Sequence, residues 1–186
     1  MNRTPTRQRT WLAAVLTALF LPALVSANND KKIDVSVTQD GSGNYVLSFD
    51  NDECPARWRE KKGCVLQRKG NSGKIEWRLD AASVSEGWTL VALYFGTQEK
   101  QRGVVGSPLL GCLVADFGFD RNDAATGLVR EAKPKSGGKA LELKNNTQCG
   151  TEYFIYYTLE GIRTDGTPAE SDPIISNGGR PGRGGD

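Results

Sequence analysis

Residues 32–50 read KIDVSVTQDGSGNYVLSFD, and this stretch decides the fold class. Ile33, Val35 and Val37 alternate with polar residues, the period of two that buries one face of a strand. Asp40-Gly41-Ser42-Gly43 supplies turn chemistry, and Tyr45, Leu47 and Phe49 resume the alternation beyond it. The pattern predicts a β-hairpin.

Outward from the hairpin the same signs recur. Ile75, Trp77 and Leu79 alternate with Lys74, Glu76 and Arg78 after the turn-like Gly70-Asn71-Ser72-Gly73. Residues 88–95, WTLVALYF, form a more continuous apolar run suited to a central strand, and Leu109 to Phe119 and Tyr153 to Leu159 resemble it. Weaker strands are predicted at 64–68, 128–132 and 140–144. About eight or nine strands at roughly ten-residue spacing predict an all-β fold, a single antiparallel β-sandwich. Trp77 and Trp88 are expected in its core. Tyr153, Tyr156 and Tyr157 fall on both faces of their strand, so at least one is expected at the surface. Helical turns are expected only at 55–62 and near Asp80 to Val84.

The termini set the address. Arg3, Arg7 and Arg9 precede an apolar run from Trp11 to Val25 that closes on Val25-Ser26-Ala27, the order of a secretory signal peptide. The run is about 14 residues and contains Pro22, short of the roughly 20 needed to cross a bilayer. We expect residues 1–27 to be removed after Ala27, residues 28–175 to form one domain, and the Gly-rich tail 176–186, with Arg180 and Arg183, to be disordered. The expected location is periplasmic or secreted, with no membrane-spanning segment. The chain holds 24 Lys and Arg against 22 Asp and Glu. Residues 1–27 carry three of the arginines and no acid, so the remainder is 21 − 22 = −1. Broad attraction to nucleic acid therefore has no support.

Cys54, Cys64, Cys112 and Cys149 allow three pairings. The spacings lack the close Cys pairs of zinc and thiol-exchange sites, so structural disulfides are expected. The favoured connectivity is Cys54–Cys64, closing a short loop, with Cys112–Cys149. The chain has no histidine, which excludes Ser–His–Asp and Cys–His catalysis in their usual form and histidine-ligated metals. No metal site or cofactor is expected. Asp116-Phe117-Gly118 spells a kinase motif without its companions, and Ser136-Gly137-Gly138-Lys139 matches S-x-x-K in a setting that favours a hairpin turn. Asp120, Asn122 and Asp123, joined by Asp116, offer oxygens suited to calcium, but Ala124 and Ala125 stand where ligands should continue. A turn that bonds its own backbone is the alternative.

The best candidate surface is the loop between Cys54 and Cys64. Trp58 sits among Arg57, Arg59, Lys61 and Lys62 in a stapled segment, and rigid presentation of Trp and Arg lowers the ordering cost of binding. The competing reading is a disulfide-capped helical turn with Trp58 packed on the sheet. Cys64, Trp77 and a later cysteine resemble the layout of immunoglobulin domains, which implies an immunoglobulin-like architecture. Leu110 and Thr147, however, stand two residues before Cys112 and Cys149, where that family places a tyrosine. No family is recognised. The expected function is non-catalytic: an exported binding or structural module for a protein or surface polymer. The alternative is a small periplasmic inhibitor or immunity protein acting through the Cys54–Cys64 loop. An enzyme would need a carboxylate-only site, and no pair of acids stands out.

Overall fold

The computed structural model describes residues 30–50, 54, 62–67, 70, 72–171 and 173–177. The expected signal segment, most of the Cys54–Cys64 loop and the tail from 178 lie outside the described residues.

The opening hairpin forms β1 (Lys31–Gln39) and β2 (Tyr45–Phe49), antiparallel with Val35 opposite Phe49 and Val37 opposite Leu47. Its turn closes on Asp40, whose Oδ1 accepts from Ser42 N and Asn44 N at 2.9 Å. Then follow β3 (Val65–Gln67), β4 (Gly73–Leu79), α1 (Ala81–Ser85), β5 (Trp88–Gly96) and α2 (Leu110–Phe117). The chain ends in β6 (Lys133–Lys135), β7 (Ala140–Asn145), β8 (Tyr153–Arg163), β9 (Pro168–Ser171) and β10 (Ile174–Asn177). Ser176 and Asn177, at the start of the expected tail, thus belong to a strand. Asp80 caps α1 by accepting from Ser83 N at 2.7 Å.

All ten strands join one sheet in the order β3-β10-β8-β9-β2-β1-β4-β7-β6, with β5 on the other edge of β8. Three strand pairs are parallel, β1 with β4, β10 with β3 and β2 with β9, and six are antiparallel. This corrects the expectation of an antiparallel sandwich: the protein is mostly β, but its sheet is mixed. Strand alternation specifies which face is buried; it carries no information about the direction of a partner strand.

The sheet curls so that strands distant in the order meet. Trp77 of β4 stacks on Tyr157 of β8 with ring centroids 5.2 Å apart, although β9, β2 and β1 separate their strands. Inward residues of both regions, among them Ile33, Val35, Ile75, Leu93, Phe95, Leu141, Leu143, Ile155 and Leu159, are almost wholly buried. Trp88 is also in the core, while Tyr156 is only half-buried.

The apolar run from Leu109, expected as a strand, is the helix α2. Its buried residues are Leu113, Asp116 and Phe117, the i, i+3, i+4 spacing of one helical face. A polar residue at the middle of that face obscures the period. Gly118 ends the helix with φ 68°, the left-handed position that glycine adopts without strain.

Candidate functional site

The two disulfides are Cys54–Cys64 and Cys112–Cys149, with Cα–Cα distances of 4.9 and 5.0 Å. Bridges of this kind fit an oxidising compartment. Of the expected binding residues, Arg57, Trp58, Arg59 and Lys61 lie outside the described residues. Lys62 is described and exposed, immediately before the loop returns to the fold.

That return is built into the core. Gly63 holds φ 79°, and a Cβ there would fall 2.6 Å from the Phe49 ring and 2.9 Å from Pro173, so only glycine fits. Cys64 and Val65 are each 1 % exposed. The Tyr157 hydroxyl donates to Gly63 O at 2.6 Å and accepts from Trp77 Nε1–H at 2.9 Å, all within the interior. Burial pushes this hydroxyl well above the ordinary tyrosine value. From Val65 to Gln67 the chain then runs as β3, parallel to β10. The staple, the glycine and the hydrogen-bonded pair of aromatics together fix the downstream stem of the loop. Sequence pattern pointed to Trp77 as core; its indole N–H and the tyrosine facing it were not readable as anchors of a loop.

A second cluster went unrecognised. Asp116, Asn145, Asn177 and Gln67 are buried together beneath the Cys112–Cys149 bridge. Asp116 Oδ1 accepts from Cys149 N–H at 2.7 Å; its Oδ2 accepts from Tyr153 O–H at 2.8 Å and from Asn177 Nδ2 at 2.5 Å. Asn145 Nδ2 donates to Gln67 Oε1 and, at 3.0 Å, to Asn177 Oδ1. The network joins α2, β3, β7, β8, β10 and the segment between β7 and β8. Thr147 in that segment holds φ 48° and leaves its buried hydroxyl without a hydrogen-bond partner. One acid inside the apolar run LGCLVADF is the signal that could have flagged Asp116, since a carboxyl in such company is buried only with partners.

The acids considered for calcium are otherwise engaged. Asp120 Oδ1 accepts from Asn122 N at 2.9 Å, holding the turn at 121–123. Arg130 grips both Asp123 oxygens, at 2.5 and 2.8 Å, and holds that carboxyl below its ordinary range. Among the described residues, no group of three or more His, Cys, Asp or Glu is placed to hold a metal ion. Ser136-Gly137-Gly138 is a tight turn between β6 and β7, which pair antiparallel.

Acids do meet on the outer face of the sheet. Glu160 of β8 stands directly opposite Glu170 of β9, and Arg102 spans them, with Nη2 3.6 Å from Glu160 Oε2 and 2.6 Å from Glu170 Oε1. The Arg102 guanidinium also lies 3.9 Å from the centre of the Tyr94 ring. Burial, then the neighbouring Glu160, raises the Tyr94 hydroxyl above its ordinary value. Like charges opposed across a strand pair are unfavourable, and the arginine offsets them. The arrangement is that of a surface ion-pair group.

No protein-family model matches the chain, and comparison with curated proteins finds no similar one. No described helix is long and apolar enough to cross a membrane.

Proposed function

We propose that this protein is an exported, non-catalytic binding module whose partner, a protein or a surface polymer, is engaged by the segment closed by Cys54 and Cys64. The observation that carries the reading is the buried chain Trp77 Nε1–H to Tyr157 OH to Gly63 O, which ties the stem of that segment to the core beside its disulfide. A stem anchored in this way is ordered before any partner arrives, which lowers the ordering cost of presenting what it carries. Trp58, with Arg57, Arg59, Lys61 and Lys62 around it, supplies the aromatic and cationic side chains that interfaces favour.

The test compares the oxidised wild-type protein with Trp58→Ala/Arg59→Ala as bait in an extract of its own extracytoplasmic compartment. The reading predicts one tight partner held by the wild type and released by the double variant. Equal retention by both rejects the assignment of the loop.

A further inference from the structure

Among the described residues, the large apolar side chains left exposed are Val91, Val105 and Ile162. Val91 and Ile162, 41 % and 38 % exposed, stand on the neighbouring strands β5 and β8. Pro168 of β9, also exposed, is the register partner of Ile162. The three make an apolar row across three strands on the outer face of the sheet. A β-bulge between Leu90 and Ala92 shapes it: Leu90 and Leu93 both enter the core, which leaves Val91 and Ala92 on the outer side. On one side the row meets Arg102, Glu160 and Glu170, with Arg102 over the Tyr94 ring. On the other, the β8–β9 turn holds Arg163 to Asp165 at 2.7 Å. An apolar centre inside a polar rim, with Tyr and Arg beside it, is the anatomy of a protein interface. The outer face of β1, β4 and β7 differs, presenting Lys32, Asp34, Lys74, Arg78 and Lys144 to solvent and no exposed large apolar side chain.

Register links this row to the stapled segment. Val65 pairs with the core residue Ile175, and Tyr156 pairs with Ile174, so Cys64, Ile174 and Tyr156 share the outer face. Ile162 follows Tyr156 along β8 by about 20 Å, at roughly 3.3 Å per residue. A standard interface covers about 800 Å² a side, roughly 30 Å across, so one partner reaches both. Charge selects the class of that partner. Two glutamates share one arginine at the row, and the Glu170 side chain is 49 % exposed, whereas the stem carries the exposed cation Lys62. A uniformly anionic polymer drawn to the stem would be repelled at the row, and a second copy would set acid against acid.

We propose that the row Val91–Ile162–Pro168 is the docking surface for a protein that sets an apolar side chain on it and a lysine or arginine against Glu170. The inference rests on the reading of the Cys54–Cys64 segment as the other end of the same interface, and it narrows the partner from protein or polymer to protein.

The test passes an extract of the protein's own compartment over four baits: wild type, Trp58→Ala/Arg59→Ala, Val91→Thr/Ile162→Thr and Ile162→Lys. The protein captured by the wild type is identified by peptide mass, purified and titrated calorimetrically against each. The row positions are exposed, so their variants should melt within about 2 °C of wild type. Val91→Thr/Ile162→Thr should raise Kd about tenfold through lost apolar burial, and Ile162→Lys should abolish binding. Glu170→Gln should weaken binding severalfold at low salt and leave it unchanged at high salt. Unchanged Kd for the row variants, with release by the loop variant, overturns this proposal and keeps the loop reading. Weakening by the row variants, with full retention by the loop variant, upholds the row and overturns the loop reading. Captured material that survives protease, or a dimer in sedimentation that Ile162→Lys dissolves, assigns the row to a polymer or a second copy and overturns the proposal, as does the capture of no protein.

Discussion

Tyr157→Phe deletes one oxygen from a site where nothing else changes shape. That oxygen accepts from Trp77 Nε1–H and donates to Gly63 O, and Trp77 is fully buried. Water cannot replace it without opening the core. A buried polar group that loses its partner costs about 1–3 kcal/mol, so two such losses come to about 2–4 kcal/mol after partial relaxation. For a chain of this size that corresponds to a fall in melting temperature of roughly 5–12 °C. Urea unfolding followed by tryptophan fluorescence measures it, with an unchanged slope confirming that the two end states are the same. Trp77→Phe in a double-mutant cycle isolates the pair, and the coupling should be about 1–2 kcal/mol. A Tyr157→Phe protein within about 0.5 kcal/mol of wild type would show that the pair is not holding the stem.

The other predictions use the same unfolding assay. Asp116→Asn replaces an acceptor oxygen with a donor among Cys149 N–H, Tyr153 O–H and Asn177 Nδ2, and should cost about 2–4 kcal/mol; a loss under about 1 kcal/mol means the network is not satisfied as described. On the chain-entropy account, bridges with separations of 37 and 10 residues contribute about 3.8 and 2.7 kcal/mol, so Cys112→Ser/Cys149→Ser should destabilise more than Cys54→Ser/Cys64→Ser. The reverse order rejects that account here. Burial raises the Tyr153 and Tyr157 hydroxyls above the ordinary 10.0, so both stay protonated in the folded state where the unfolded chain ionises. The unfolded state then binds fewer protons, and stability is full below pH 10 and falls above it, by up to about 1.4 kcal/mol per pH unit for each tyrosine. Tyr157→Phe should make the alkaline decline shallower; an identical slope contradicts the burial argument.

Where burial alternates along one strand, the residues declared the structure. The hairpin from Ile33 to Phe49 and the strand around Trp77 were legible because apolar side chains alternate along them, and the strands at 88–95 and 153–159 because each is a short, nearly continuous apolar run. The helix α2 was not, because LGCLVADF is apolar on nearly every side and Asp116 interrupts its buried face. Nor was the mixed sheet: the parallel pairing of β1 with β4 places Ile33 beside Trp77, a contact decided by the packing of the whole molecule. The Cys54–Cys64 loop could be named from cysteine spacing and its clustered cations. Its anchor could not, since Gly63 and Tyr157 lie 94 residues apart and neither belongs to a motif. The Asp116 network assembles from six segments for the same reason.

The chain leaving the disulfide-closed segment is core rather than loop. Amide hydrogen exchange on the oxidised protein, resolved over residues 63–67, addresses it most directly. Protection there should match that of Ile155 to Tyr157, because both stretches open only when the sheet does. Exchange at the rate of an unstructured chain over 63–67, with β8 still protected, would contradict the account.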